Sequence, residues 1–192
     1  MGIITLLKQM IIHLSPYSEA WPTRFETMKQ TLMRLFKGDT QAIEHVGSTA
    51  VRGLMAKPVI DIFLAVSPFH SFPYYEEKLQ PMVFKYVHTG MNERYLFSKY
   101  TSEGVWTHNL HVLPWNEHFM LRNEILFRDY LRKAPDLVVE YNNLKKHLAS
   151  IPLATLEDYT RAKTGFIQQV VDRARLEQGL PRQNVWTMEI EE

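Results

Sequence analysis

Asp61 is the residue whose setting asks for a chemical explanation. It interrupts the apolar run Val59, Ile60, Ile62, Phe63, Leu64 and Val66, which reads as a strand buried on both faces. Pro58 can start that strand but cannot sit in its middle. An ionised carboxylate in such a strand is costly unless a cation or hydrogen-bond donors meet it. Upstream lies the turn Gly47-Ser48-Thr49, with a further glycine at Gly53. Glycine lets a backbone approach a phosphate closely, and the Ser48 hydroxyl and the following amides can bond phosphate oxygens. A carboxylate on the next strand then holds a divalent ion that neutralises the same phosphates. Residue types alone leave alternatives open. Ser48 could cap a strand-to-helix turn, and Asp61 could pair with a buried cation such as Lys57 or Arg94.

The stretch HVGSTAVRGLMAKPVIDIFLAV, within a signature spanning residues 43–66, resembles the GrpB family, a branch of the nucleotidyltransferase fold superfamily. The resemblance implies an α/β (α+β) fold, with a nucleotidyltransferase-like mixed sheet, flanking helices and a C-terminal helical set. The superfamily pattern is a Gly-Ser turn followed by a strand bearing Asp-x-Asp or Asp-x-Glu. Alternate strand residues share a face, so that pattern presents two carboxylates to one metal site. Here the second position is Phe63. Two functions follow from the resemblance: a metal-dependent nucleotidyltransferase, or a non-catalytic module that binds a nucleotide or anion and lost turnover with the second carboxylate. Relatives fused to dephospho-CoA kinase suggest, by analogy alone, a link to coenzyme A metabolism.

Superfamily members place a third carboxylate on a later strand beside the Asp-x-Asp strand, which makes His111 a candidate metal ligand or acid–base group near Asp61; a hydrogen-bonded core histidine is the other reading. His45, next to Glu44 just before the turn, is a further candidate ligand. A site of Asp61, His111 and His45 would favour manganese or zinc over magnesium, because imidazole is the softer ligand. His108 and His111 are three apart on an expected strand and so point to opposite faces. The cations placed to neutralise phosphate are Lys57, Arg94, Lys99, Arg128 and Lys163. Arg128 and Arg132 share a helix face, either as a solvated surface or as a phosphate clamp, with Arg128 expected to be partly buried among Leu126, Phe127, Tyr130 and Leu131. Tyr159 reads as core.

The elements that must position these groups are legible from period and punctuation. Pro22 opens a helix carrying Phe25, Met28, Leu32, Leu35 and Phe36 at three- and four-residue steps, ending at Gly38. Residues 72–79 suit a short helix. Strands over 83–88, 94–100 and 105–113, separated by Gly-containing turns, predict an antiparallel meander. Helices follow over about 117–179, including FRDYLR, a helix opened by Pro135, and one long last helix over 153–179 with Tyr159, Lys163 and Phe166 on related faces. The tail from Leu180 is expected to fray or to dock through Trp186. The family likeness runs from about Tyr17 to Arg175.

Composition sets the outer bounds. A chain of 192 residues with ordinary apolar and charged fractions is expected to form one domain, 1–192. There are no cysteines, which removes disulfides, thiolate zinc sites and cysteine nucleophiles. A net charge of +1 gives no general attraction to nucleic acid or membrane, and no basic stripe with interleaved aromatics is visible. The expected partner is a small nucleotide or phosphate ligand. The apolar opening MGIITLLKQMII lacks a basic leader and a cleavage site, so it reads as a strand or helix docked on the core of a cytoplasmic protein.

Overall fold

The fold comes from a computed structural model, which describes residues 12–91, 93–151 and 155–187. Its sheet has five strands: β1 (Thr40–Val46), β2 (Ile60–Val66), β3 (Phe84–Val87), β4 (Tyr95–Tyr100) and β5 (Trp106–Pro114). They lie in the order β1-β2-β5-β4-β3, with β2 and β5 parallel and every other neighbouring pair antiparallel. The meander expected from 83 to 113 is thus present, and its last strand pairs with the strand that carries Asp61. The helices are α1 (Ala20–Leu35), α2 (Phe72–Leu79), α3 (Asn123–Lys133), α4 (Pro135–Ser150), α5 (Leu156–Ala162) and α6 (Thr164–Glu177).

Strand alternation divides β2 between two environments. Ile60, Ile62, Leu64 and Val66 belong to a core with Met28, Leu32 and Phe36 from the α1 region and Tyr75 and Leu79 of α2. Phe63 and Ala65 belong to a second cluster with Val46, Leu113, Phe119 and Ile125. Asp61 lies on this second side, at the end of β2 where the Gly-Ser turn arrives. A third apolar cluster ties Val51 and Leu54 to α3, α4 and α6 through Leu131, Tyr141, Phe166 and Val170. The C-terminal helices therefore pack on the loop between β1 and β2 and leave a space over Asp61.

One sequence expectation changes, and one open alternative is decided. The single long helix over 153–179 is two helices broken at Lys163, just before Gly165, a poor helix former. Of fraying and docking, residues 181–187 of the tail show docking, on α6: Arg175 Nε donates to Pro181 O at 2.6 Å, and Val185 N donates to Gln168 Oε1 at 2.9 Å. Trp186 lies 4.2 Å below the Arg161 guanidinium. The N-terminal expectation falls outside the described residues up to position 11; Ile12 itself is buried with Leu148 and Tyr159. Among the described residues no helix is long and apolar enough to cross a membrane.

Candidate functional site

β1 ends at Val46, directly opposite Asp61, and the chain turns there at Gly47. Gly47 has φ 73° and ψ −173°, a backbone region that is essentially reserved for glycine. A Cβ placed on it would overlap Asp61 Oδ2 and lie 3.1 Å from Asp61 Cγ. Both facts require a glycine, because the turn is pressed against the carboxylate. Ser48–Ala50 then form one 3-10 turn, closed by Ala50 N donating to Gly47 O at 3.2 Å. Side chains from distant elements hold this turn in place. Arg132 of α3 donates to Ala50 O at 2.9 Å, and Asn142 of α4 bridges Gly53 O and Met55 N at 2.9 and 2.8 Å. The Thr49 hydroxyl is spent internally, on Val59 O at 3.3 Å and His45 Nε2 at 3.0 Å.

The space over Asp61 is a cavity of about 470 Å³. Asp61, Asn109 and His111 lie on its sheet side, Gly47, Ser48 and Lys57 come from the β1–β2 loop, and Lys145 and Lys163 from the helices. Asp61 does not form an ion pair among the described residues. Its Oδ1 accepts from Asn109 Nδ2 at 2.9 Å, across the β2–β5 register. Burial raises the Asp61 pKa; the Asn109 hydrogen bond, Lys57, Lys163 and Arg94 oppose that rise. His111 stands opposite Phe63, and its Nδ1 accepts from Arg94 Nε at 3.0 Å. Burial, then the Arg94 charge, hold its pKa well below the usual imidazole value, so the ring is neutral with its hydrogen on Nε2. Arg94 also donates to Glu124 at 2.9 Å and sits 4.9 Å over the Phe63 ring.

Three ammonium groups reach this cavity, and none has a carboxylate partner within ion-pairing distance among the described residues. Each rests on an aromatic face instead: Lys57 over Trp106 at 4.8 Å, Lys145 over Tyr141 at 4.6 Å and Lys163 over Tyr159 at 4.3 Å. Lys145 is 2% exposed, donates to Met55 O, and lies 3.4 Å from Ser48 Oγ. Burial and the neighbouring Lys163 lower its pKa to about 7. Lys163 is lowered to about 8 by burial and Lys57, against the opposing pull of Asp61. Lys163 lies at the break between α5 and α6 and lines the cavity from there.

Several expected site residues are elsewhere. His45 pairs with Ile62 and so faces the α1 side of the sheet, stacked 4.7 Å from Phe25; it is not joined with Asp61 and His111. Burial lowers its pKa to about 3, and Arg132, Arg128 and His108 add to the effect. Lys99 pairs with His108 on that same side, lies over Phe84 and donates to Met82 O. Arg128 is 4% exposed and donates to Glu44 Oε2 at 2.6 Å, His45 O at 2.8 Å and both Asp129 oxygens. It bolts α3 to β1, with four of its five N–H donors committed to Glu44, the His45 carbonyl and Asp129. His108 and His111 do face opposite sides. Lys145 and Asn109 escaped the sequence reading. A signal existed for Lys145: Val138, Tyr141, Lys145 and Leu148 recur at three- and four-residue steps, the stripe that α4 buries.

Residues 11–173 match the sequence profile of the family described as GrpB protein. The chain belongs to the GrpB family. The Glutamate-rich protein GrpB of Alkalihalophilus pseudofirmus is 32% identical over 165 residues, covering 81% of this chain and 91% of that protein. UPF0157 protein YqkA of Bacillus subtilis is 27% identical over 176 residues, which are 91% of this chain and half of that longer relative. The crystal structure of the conserved protein GrpB from Enterococcus faecalis superposes with a TM-score of 0.78 at 27% identity, over 87% of this chain and 99% of that one. A Cid1 poly(U) polymerase with magnesium and 3'-dATP bound superposes with a TM-score of 0.53 at 15% identity, over 78% of this chain and 49% of the polymerase. That likeness establishes a nucleotidyltransferase-like fold.

Enzymes of this fold usually work with divalent ions, and the donor set around Asp61 does not fit one. Phe63 stands in place of the second carboxylate, and Asn109 presents a hydrogen-bond donor to Asp61. The His111 lone pair on Nδ1 is taken by Arg94. Among the described residues no group of three His, Asp or Glu side chains is arranged to hold a metal ion.

Proposed function

We propose that this GrpB-family protein binds a nucleotide or a similar phosphate ligand in the cavity between the Gly47-Ser48 turn and the C-terminal helices, as a binding module without nucleotidyl transfer. One observation carries the reading: Lys145 meets Ser48 at that turn, beside a cavity with four cationic side chains (Lys57, Arg94, Lys145, Lys163) against two carboxylates (Asp61, Glu124). The turn offers the Ser48 hydroxyl and the Ser48 and Thr49 amides, the ones a 3-10 turn leaves without an internal acceptor. Phe127, Ile167 and Val171 give the cavity an apolar wall suited to a base or another flat group. Its volume lies in the range of roughly 300–1,000 Å³ typical of small-molecule sites. The fold likeness to a polymerase with a bound nucleotide supports the same ligand class.

Transfer lacks that support. In-line displacement at phosphorus relies on metal ions to hold the attacking and leaving oxygens, and of the two carboxylates at the cavity Glu124 is held by Arg94, which leaves Asp61 where several are needed. The test is a thermal-shift comparison of ATP and pyrophosphate on wild type, Ser48→Ala and Lys145→Met. Binding to the folded state should raise the wild-type midpoint by mass action, with a smaller rise in both variants. No shift with either ligand would sink the phosphate reading, and turnover of ATP would sink the claim of a module without transfer.

A further inference from the structure

The orientation of the Asn109 amide is fixed from behind. Its Oδ1 accepts from Ser98 Oγ at 2.8 Å and from Trp106 Nε1 at 3.0 Å. An indole nitrogen is a donor only, so the oxygen must face Trp106 and the NH2 must face Asp61. Reversing the amide would set two acceptors against each other at Asp61 and two donors at Trp106. On the strand next to Asp61, where the fold's metal chemistry calls for an acceptor, this chain therefore installs a locked donor. Further along the same face, the Arg94 guanidinium covers Phe63 and blocks the Nδ1 lone pair of His111. A divalent ion entering here would meet one carboxylate already bonded to an amide, with several like charges around it.

The ammonium groups make the complementary case. Lys163 acts on Lys57, Lys145 and Asp61 across the cavity, and Lys57 acts on Asp61, yet each of the three lysines is seated on an aromatic ring and not in an ion pair among the described residues. Charges kept this way are costly to bury and are available to a ligand. Resting on the phosphate-ligand reading above, we propose that the site holds its phosphate ligand without a divalent ion. Lys57, Lys145 and Lys163 supply the positive charge that metal ions supply elsewhere in this fold. Asp61 acts as a hydrogen-bond acceptor, and its Oδ2, which takes no hydrogen bond from the described residues, is turned to a donor group of the ligand. The ligand class is an oligophosphate or phosphate ester bearing such a donor.

Calorimetric titration with inorganic pyrophosphate tests this, in excess chelator and in magnesium, with free pyrophosphate corrected for complexation. The wild-type Kd is expected to agree between the two conditions within about threefold, less than the loss of one charge-assisted contact. Lys57→Met and Lys163→Met should each weaken binding by about tenfold in both conditions. Asp61→Asn, which keeps the side-chain shape and removes a negative charge beside the anion, should tighten pyrophosphate binding in both conditions. Manganese alone, followed through the EPR signal of the free ion, should not bind saturably. Pyrophosphate binding seen only with magnesium and lost in Asp61→Asn would overturn the proposal and leave the phosphate reading standing. Saturable manganese binding that depends on Asp61 would overturn it equally. Absence of pyrophosphate binding in both conditions would remove the phosphate site and this inference with it.

Discussion

The two faces of β2 receive different treatment from the rest of the chain. On one face Ile60, Ile62, Leu64 and Val66 are covered along their whole length by α1 and α2, and the polar groups that enter are consumed: His45 on Thr49, Lys99 on Met82 O. On the other, Phe63 and Ala65 are covered by the region from Phe119 into α3, whereas Asp61 opens on the cavity with its ammonium groups. Alternation puts Asp61 and Ile62 next to each other in sequence and in opposite roles. The comparison separates residues that make the fold from residues available to a ligand, and it assigns His45 and Lys99 to the first group.

The largest effect should come from breaking the covered face. Ile62 is wholly buried, and Ile62→Ala removes packed methyl groups and leaves a void, at a cost of about 2–5 kcal/mol. Denaturant titration should show that loss, while the pyrophosphate affinity of the folded fraction stays unchanged. An affinity change parallel to the stability change would mean that the two faces are not energetically separate. Gly47→Ala acts at the junction between them. The substitution forces an L-residue into glycine backbone space at about 1–3 kcal/mol and drives its methyl group onto Asp61. Stability and affinity should fall together here, read by melting and calorimetry on one sample. Loss of stability with full affinity would separate the turn from the ligand site.

Much of this division was legible before any coordinates. The apolar run after Pro58, its lone carboxylate and the Gly-Ser turn mark the candidate site, and the punctuation of residues 83–113 yields the meander; that its third strand lies beside β2 was implied by the family resemblance. The face of each residue was harder. His45 precedes the turn by two residues and looks close to Asp61 in sequence, but the antiparallel register pairs it with Ile62 and sends it to the other side. Arg128 reads equally well as a phosphate clamp; its role is decided by Glu44 and the His45 carbonyl, which a helix period does not reveal. Lys145 was missed because a charged residue on a helix reads as solvated, and only its place in the buried stripe of α4 says otherwise. The amide direction of Asn109 depends on Trp106 and Ser98, three residues back and one strand away, and no local pattern encodes it.

The open face also makes a prediction about pH. Lys145 titrates near 7 in the fold against an ordinary value of 10.5, so between those values the unfolded chain holds a proton that the folded chain lacks. Stability therefore rises with pH through that window, and the cost of the buried ammonium is felt in full below about pH 7. Its slope is at most about 1.4 kcal/mol per pH unit. Lys163 contributes in the same direction and remains in Lys145→Met, so the difference between wild type and that variant isolates Lys145. Urea melts at several pH values should show wild type gaining on Lys145→Met from pH 7 upward. Parallel curves would place the Lys145 ammonium in solvent. Anion binding should run the opposite way, weakening as the same groups lose their protons.

The smallest effect tests the assignment of Lys99. It was a phosphate-binding candidate by residue type, but register with His108 and Phe84 puts it on the covered side, and its ammonium is used on Met82 O between α2 and β3. Lys99→Met keeps the stem over Phe84 and removes one hydrogen bond, so stability should fall by about 0.5–1.5 kcal/mol. Its effect on pyrophosphate affinity should be indistinguishable from zero at moderate salt, since the sheet lies between Lys99 and the cavity and screening shortens the reach of its charge. Lys163→Met, a change of the same chemistry on the cavity side, supplies the matched contrast. A loss of affinity in Lys99→Met comparable to that in Lys163→Met would mean that the ligand reaches the far face, and the division of the sheet into a structural side and a binding side would fail.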